Sequence, residues 1–261
     1  MDAEDGAAAV ARLDALTRRL RRECPWDREQ DERTIVPHTV EEAYELADAA
    51  NAGDDAKLLD ELGDVLFQVH FLALLLEERG AGSLAQVAEH VRQKLVRRHP
   101  HVFSDVEVAS AGEVLRNWDA IKATEPGRED GIFGDVPENL PALLHARKVQ
   151  RRAATSGFDP ASAQDAVDAV GGQAEALTEA GEDRDARFAA VGDLLFAAVN
   201  VARKLKVDPE LALRASSERF RAAVEGAEEL AEAASASWDQ LSEDERLQLY
   251  ARARLAQERS R

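Results

Sequence analysis

The chain has 261 residues and a formal net charge of −18, which argues against a general affinity for nucleic acid polymers or anionic membranes, since both are polyanions. Aromatic residues make up only 5% of it, so the core must come mostly from Leu, Val and Ala, a composition that favours packed helices. Cys24 is the only cysteine, which excludes an intrachain disulfide and fits a reducing compartment. No signal-peptide pattern or membrane-spanning run is visible, and we expect a cytoplasmic protein.

Apolar residues recur at helical spacing through the first half of the chain. Thr39, followed three residues later by Glu42, forms a capping-box pattern, which predicts that a helix begins at Thr39. The long helix after it is apolar on nearly every side in its second half, so we expect more than one neighbour to bury it, and a second subunit is one candidate. The predicted helices are 7–23, 39–50, 56–79, 83–98 and 111–124.

The second half of the chain begins with a connector. Residues 125–141 are dense in Gly, Pro and Asp, which is typical of a loop. A helical segment follows, "SGFDP" interrupts it, and the rest returns to Ala-, Glu- and Leu-rich helices. Because no segment alternates as a strand does, the predicted fold class is all-α. The predicted organisation is a first domain at 1–124, a linker and connecting helix at 125–160, and a second domain at 161–261.

An internal repeat relates the two domains. "LGDVLFQVH" at 62–70 matches "VGDLLFAAVN" at 191–200, so that Asp64 corresponds to Asp193, 129 positions later. "VEEAYEL" at 40–46 aligns with "VGGQAEAL" at 170–177 at nearly the same offset. Similar segments at one offset predict two copies of one helical unit.

The second copy has lost most of the acidic residues of the first. Glu41 and Glu42 become Gly171 and Gly172, Glu61 becomes Ala190, and Glu45 and Asp64 are kept as Glu175 and Asp193. A glycine inside a helix costs about 1 kcal/mol relative to alanine, so we expect the second copy to be distorted at the glycine pair. The comparison predicts chemistry in the first copy and a packing role for the second.

The acidic residues of the first copy form two pairs at helical spacing. Glu42 and Glu45 are three residues apart, as are Glu61 and Asp64, so two facing helices can direct both pairs toward one point. Four carboxylates without His or Cys match Mg²⁺, with Mn²⁺ as the alternative. Glu41 lies one step around the helix and suits an outer role, such as orienting a water. The competing interpretation is a solvated helix face, for which an EExxE string is common.

Basic and aromatic residues supply a second half to this pattern. Polyphosphate requires cations, and an aromatic face suits a nucleobase. The candidates are Lys57, which precedes Glu61 by four residues, then Lys94, Arg97 and Arg98 in the third long helix, and Trp118 with Lys122 in the fourth. Each of them alone is more often a solvated surface residue, and the constellation with the acids is what indicates a metal and phosphate site.

Other chemistries find less support. His99 and His101 in "RHPH" have no Cys or third His near them to complete a zinc site. Cys24 has no neighbouring base in the sequence that would make it a nucleophile, and no P-loop or Rossmann glycine pattern is present.

The motifs resemble the MazG family of nucleoside triphosphate pyrophosphohydrolases. The resemblance is carried by "CPWD", "EEAYEL", "DELGDVLFQVHF", "KLVRRHPHVF" and "NWDAIKATE", and by "LPALLHARKVQRRAATSGFD" between the two halves. It implies an all-α fold of tandem MazG-like four-helix-bundle domains, related to dimeric dUTPases and usually assembled as a homodimer. It also implies Mg²⁺-dependent cleavage of an NTP or dNTP to the monophosphate and pyrophosphate, in a role that clears the nucleotide pool of unwanted nucleotides.

The resemblance also implies roles for individual residues. Glu42, Glu45, Glu61 and Asp64 would hold the metal, Lys57, Lys94, Arg98 and Lys122 would bind the phosphates, and Trp118 would contact the nucleotide. In the expected reaction water attacks the α-phosphorus, Glu41 or Glu45 accepts its proton, and pyrophosphate leaves. This chain departs from tandem members whose second copy carries the acidic signature: Arg98 falls at about Ala223 there, and only Arg219 matches Lys94. The second domain is therefore expected to be degenerate and non-catalytic.

Two alternatives remain open at this point. One is a non-catalytic helical module that binds a regulatory nucleotide or a partner. The other is a hydrolase of an alarmone nucleotide. The sequence contains no base-reading residues that choose among bases, sugars or damaged nucleotides.

Overall fold

The computed structural model describes residues 3–104, 106–124, 131–134 and 136–259. It divides into two compact units, Met1–Arg128 and Glu129–Arg261. Every element in the described ranges is a helix, which confirms the all-α prediction. The helices of the first unit are α1 (Ala3–Glu23), α2 (Pro25–Glu29), α3 (Glu32–Ala52), α4 (Asp55–Glu78), α5 (Leu84–Arg98), α6 (Pro100–Phe103) and α7 (Ala111–Ala123). Those of the second unit are α8 (Ala142–Thr155), α9 (Ala163–Glu179), α10 (Arg184–Lys204), α11 (Pro209–Ala233) and α12 (Glu243–Arg259).

Helix α3 begins seven residues earlier than the sequence pattern predicts. Its N-cap is Asp31, whose carboxylate accepts hydrogen bonds from the backbone of Arg33 and Thr34, while the Thr34 hydroxyl accepts one from the Asp31 amide. Thr39 lies inside the helix, where its hydroxyl donates to the Ile35 carbonyl at 3.3 Å. The predicted start at Thr39 is therefore wrong. The Asp31 capping box and the burial of Ile35 in the core offset the cost of Pro37, about 3 kcal/mol in a helix interior.

Helices α3 and α4 form an antiparallel pair at the centre of the first unit. Gly53 ends α3 with φ at 69°, a left-handed conformation that favours glycine, and Asp54 caps α4. A small core of Ile35, Phe71 and Leu75 joins the two helices, with Phe67 and Leu72 packed against it.

Helix α1 packs along the carboxyl-terminal half of α4. The Arg18 guanidinium makes two hydrogen bonds to the Glu77 carboxylate, at 3.0 and 2.7 Å. Arg21 pairs with Glu78 in the next position of the same helix. These contacts bury one side of α4 and leave another side open.

The open side of α4 is apolar. Leu59, Leu62, Leu66 and Val69 are between 39% and 74% exposed, although they share a stripe with the buried Ala73. We expected more than one neighbour to bury α4. Within the first unit this holds only for the opposite side of the helix, and the apolar stripe stays exposed among the described residues.

The second unit contains two helix pairs. Helix α9 packs on α10, α11 packs on α12, and α8 contacts both α10 and α11. Helix α9 continues through Gly171 and Gly172 without a break, so the predicted distortion there is wrong. The cost of two glycines is small beside the packing of α9 along α10, which holds the helix in register.

The predicted connector, 125–141, lies partly outside the described residues, because 125–130 and 135 are not among them. Its described residues form turns and irregular structure. In the part of the chain that the structure describes, no helix is long and apolar enough to cross a membrane.

Candidate metal and nucleotide site

Three carboxylates converge between α3 and α4. Glu42 and Glu45 lie one turn apart on α3, and Glu61 reaches them from α4. One oxygen from each side chain lies within 4.8 Å of the others. Glu61 is buried, with 5% of its surface exposed, whereas Glu42 is half-buried and Glu45 is exposed. The helical spacing and the tight Gly53–Asp54 turn together produce this convergence.

Burial and repulsion between neighbouring carboxylates raise the pKa of two of these acids. Burial raises the pKa of Glu42 above its ordinary value, and the charges of Asp64, Glu45, Glu61 and Glu41 raise it further. Burial also raises the pKa of Glu61, followed by repulsion from Glu45. Lys57 lowers the pKa of Glu61, but its Nζ is 3.9 Å from the carboxylate and its side chain is half-exposed. The negative charge of the site is therefore only partly compensated by the protein itself.

Such a site fits a small divalent cation. Its ligand atoms are all carboxylate oxygens, the type that Mg²⁺ and Mn²⁺ prefer. A buried carboxylate beside other carboxylates is costly without a cation to pair with. In the described ranges, this is the one group of three or more potential ligands that lie close enough to share an ion.

The other two predicted acids lie at the edge of this group. Asp64 is exposed and lies outside the three-carboxylate group, although its charge raises the pKa of Glu42. Glu41 is exposed, and its carboxylate is 3.2 Å from Nδ1 of His38. Sequence reasoning missed His38, whose position three residues before Glu41 on the same helix is the signal that would have indicated the contact.

A second cluster joins α5 to α7. The guanidinium carbon of Arg98 lies 5.4 Å from the centre of the Trp118 ring, a cation–π distance. The His99 ring meets Trp118 edge-on, with 4.9 Å between centroids. The sequence indicated Arg98 and Trp118 for this site but considered His99 only as a zinc ligand, because a contact between the end of one helix and the middle of another has no local pattern.

Apart from Lys57 on α4, the remaining predicted phosphate ligands lie on the same two helices. Lys94 is half-buried on α5, one turn before Arg98, and Arg97 is exposed beside it. Lys122 is half-buried on α7, one turn after Trp118. His99 itself ends α5, and its Nδ1 lies 2.7 Å from the Leu95 carbonyl.

The first unit therefore contains two groups of predicted functional side chains. The acids lie on α3 and α4, and the basic and aromatic residues lie on α5 and α7, apart from Lys57 on α4. Helix α5 packs against both α4 and α7.

The described residues of the second unit contain no such acidic group. Ala190 is buried at the position of Glu61, so this position faces inward in both copies. Glu175 and Asp193, the two acids that remain, are exposed. Within the described part of this unit, no three carboxylates, histidines or cysteines converge.

Comparison with known proteins identifies the family of this chain. Residues 30–103 match the MazG nucleotide pyrophosphohydrolase domain. This range includes the five candidate acids of α3 and α4 and the residues from Lys94 to Arg98. The chain is 40% identical over 220 residues to the nucleoside triphosphate pyrophosphohydrolase of Escherichia coli (strain K12), covering 81% of this chain and 84% of that protein. It is 39% identical over 210 residues to the nucleoside triphosphate pyrophosphohydrolase/pyrophosphatase MazG of Thermotoga maritima, covering 80% of each.

A solved structure of a mazG-related protein from Thermotoga maritima is 26% identical and covers 44% of this chain and 99% of its own, but its TM-score of 0.39 is too low to bear on the fold. The Escherichia coli and Thermotoga maritima pyrophosphohydrolases each match about four-fifths of the chain, which is more than either unit alone contains. The chain belongs to the MazG family.

Proposed function

We propose that the chain is a divalent-metal-dependent nucleoside triphosphate pyrophosphohydrolase, which converts an NTP or dNTP to the monophosphate and pyrophosphate. The observation that carries the proposal is the convergence of Glu42, Glu45 and Glu61 within 4.8 Å in a chain of this family. A solvated helix face, the competing interpretation, does not account for a carboxylate buried as deeply as Glu61.

The three converging carboxylates are the proposed metal ligands, with exposed Asp64 as the fourth. Mg²⁺ is the proposed cofactor and Mn²⁺ the alternative, because both take oxygen ligands. A bound divalent cation would lower the pKa of a water and offset negative charge on the phosphate oxygens. Glu41, outside the group of three, is the proposed proton acceptor, and Glu45 is the alternative.

The cations of the first unit are proposed to bind the triphosphate. Lys94, Arg98 and Lys122 would stabilise the charge that develops on the departing pyrophosphate, with Arg97 beside them. Lys57, half-exposed beside Glu61, can turn toward a phosphate oxygen. Trp118 would stack on the base, and its contact with Arg98 would fix the ring in place.

The apolar stripe of α4 supports a homodimer. Contiguous exposed Leu and Val side chains on one helix are typical of an interface, and an isologous pairing would bury the stripe in both copies. We propose further that the first unit is catalytic and the second a degenerate copy, and that the enzyme acts in the cytoplasm on free nucleotides, in clearance of the nucleotide pool. The charge of −18 supports a free nucleotide over a nucleic acid polymer.

The test is a panel of NTPs and dNTPs with Mg²⁺, with Mn²⁺ and with EDTA, in which monophosphate and pyrophosphate are both quantified. Glu42→Gln and Glu61→Gln should each lower turnover by more than about 100-fold, since loss of even an outer partner of a metal ligand costs about 10- to 100-fold. Glu89→Gln is the matched control, because Glu89 is an exposed acid of α5 paired with Arg92. Near-normal turnover in both site variants, or equal turnover in EDTA, would refute the proposal.

A further inference from the structure

The second unit contains a cavity of about 270 Å³ between α11 and α12. Ser216, Arg219 and Phe220 line it from α11, and Tyr250, Arg254, Gln257 and Glu258 line it from α12. Two arginines against one glutamate give this lining a net positive charge in a chain with a net charge of −18. The combination of this charge with two aromatic rings has the chemistry that recognises an aromatic anion.

The aromatic side of the cavity is a pair of rings. Phe220 and Tyr250 have centroids 5.6 Å apart and planes inclined by 52°. Phe220 is 60% exposed, so its ring is accessible to a ligand. An exposed aromatic face is costly to leave in water and is a platform on which a nucleobase can stack.

The basic side of the cavity has spare hydrogen-bonding capacity. In the described chain Arg219 makes no ion pair, although α11 is rich in Glu. Arg254 lies 3.4 Å from the Glu258 carboxylate, which is longer than a charge-assisted hydrogen bond, and both side chains are more than half exposed. A phosphate group can therefore bind both guanidinium groups without breaking a strong pair.

The internal repeat gives this cavity a counterpart in the first unit. Tyr250 and Arg254 are four residues apart on α12, the last helix of its unit, as Trp118 and Lys122 are on α7. Arg219 on α11 falls where the repeat places Lys94 on α5. The second unit has lost three of the five acids and the counterpart of Arg98, but it keeps a cation at the place of Lys94 and an aromatic residue followed by a cation four residues later on its last helix.

We propose that this cavity binds a nucleoside phosphate, with the base on Phe220 and Tyr250 and the phosphates on Arg219 and Arg254. Since no group of converging carboxylates lies in the described part of this unit, binding here needs no divalent metal and leads to no hydrolysis. The ligand would leave as it arrived, as in a site that senses nucleotide. The proposal rests on the geometry of the second unit and not on the activity of the first.

The test is equilibrium dialysis of the full chain with ADP in excess EDTA, where a site that depends on divalent metal is silent. Arg219→Ala/Arg254→Ala should weaken ADP binding at least about 10-fold, since hydrogen bonds to charged groups are strong. Tyr250→Ala should weaken ADP binding about 10-fold because stacking is lost, whereas Tyr250→Phe, which keeps the ring, should bind ADP as the parent protein does. Arg221→Ala is the matched control, because Arg221 is an exposed arginine of α11 that pairs with Glu218 and does not line the cavity.

Competition experiments test the two halves of the ligand. Adenosine and inorganic pyrophosphate should each displace ADP at least about 10-fold less well than unlabelled ADP does. Pyrophosphate that competes as well as ADP would overturn the role of the base, and adenosine that competes as well would overturn the role of the phosphates. The site itself would be overturned if the Arg219/Arg254 double variant melts at the same temperature as the Arg221 control and still binds ADP as the parent protein does. None of these outcomes depends on pyrophosphate release, so they are separate from the test of the hydrolase.

Discussion

The carboxylate of Glu61 lies where two unfavourable effects add, burial on α4 and repulsion from Glu45. The second unit shows that packing does not require an acid there, because Ala190 occupies the matching position and is also buried. Replacement of a buried charge by an apolar side chain of suitable size is often neutral or stabilising. The acid in the first unit is therefore best explained by ligand binding.

Glu61→Gln should make the metal-free protein more stable at neutral pH. Because the pKa of Glu61 is raised above its ordinary 4.5 in the folded state, the folded protein holds this proton more tightly than the unfolded chain does. The contribution of Glu61 to the free energy of unfolding therefore falls as the pH rises from about 4.5 through the raised pKa. Melting curves in EDTA at about pH 4 and about pH 8 should show the variant gaining on the parent at the higher pH.

Glu89→Gln is the control of opposite sign for this experiment. Hydrogen bonds from Arg92 and Gln93 lower the pKa of Glu89 to about 2, so its charge favours the folded state at neutral pH. Its replacement should bring no gain in melting temperature as the pH rises. Equal behaviour of the two variants would contradict the assignment of repulsion and burial to Glu61.

Side-chain convergence was predictable from the sequence only in part. The spacing of Glu42, Glu45 and Glu61 on two helices joined by a short turn was enough to predict their meeting. The exposed position of Asp64, one turn after Glu61, was not, because it depends on how α3 and α4 cross and on which side of α4 faces the cluster. The contact of His99 with Trp118 depends in the same way on how α5 and α7 pack.

At the scale of elements, the spans of the helices followed from periodicity, but the start of α3 did not. The sequence prediction used only the capping pattern of Thr39 with Glu42, whereas the structure uses that of Asp31 with Thr34. The structure selects the earlier pattern because Ile35, between the two, anchors the first turn of α3 in the core beside Phe71. Tertiary packing outweighs a local signal there, which no window of a few residues can reveal.

Helix α4 has two apolar sides with different surroundings. Phe71 and Leu75 face α1 and α3 and are buried, while Leu62 and Leu66 face outward. Charged or polar side chains would serve an exposed helix face better, since apolar surface in water is unfavourable. The outward stripe is therefore the surface on which we place the proposed homodimer interface.

Leu62→Glu/Leu66→Glu should convert the proposed homodimer into a monomer, halving the mass measured by light scattering after size exclusion. A carboxylate at the centre of an apolar interface would lie unpaired and buried in both copies, at a cost of several kcal/mol. Leu16→Glu is the matched control, because Leu16 is a similarly exposed leucine on α1, away from the α4 stripe. A parent protein that is monomeric at all concentrations, or a double variant that remains dimeric, would contradict the interface.

At the scale of the whole molecule, the two units share a helical frame and differ in charge at the positions that matter. The long antiparallel pairs α3–α4 and α9–α10 match in order, although α9 and α10 are each a few residues shorter than their counterparts. Gly171 and Gly172 lie in α9 where Glu41 and Glu42 lie in α3. The sequence repeat was sufficient to predict this correspondence. The cavity of the second unit was not predictable, because Phe220 and Tyr250 come together only through the packing of α11 on α12.

Substitution of the two acids that the second unit keeps, Glu175 and Asp193, tests which copy is catalytic. Glu175→Gln/Asp193→Asn should leave pyrophosphate release within about twofold of the parent, since exposed side chains away from special features change stability little. Glu45→Gln/Asp64→Asn, the same pair of changes at the matching positions of the first unit, should abolish it, because it removes one converging ligand and the charge beside Glu42. Equal losses in the two double variants, measured on the full chain with Mg²⁺ and one NTP, would show that both copies take part in the reaction. A larger loss in Glu175→Gln/Asp193→Asn than in Glu45→Gln/Asp64→Asn would place the chemistry in the second copy. There, a buried alanine and two glycines replace three of the five acids, and no group of ligands converges in the described residues.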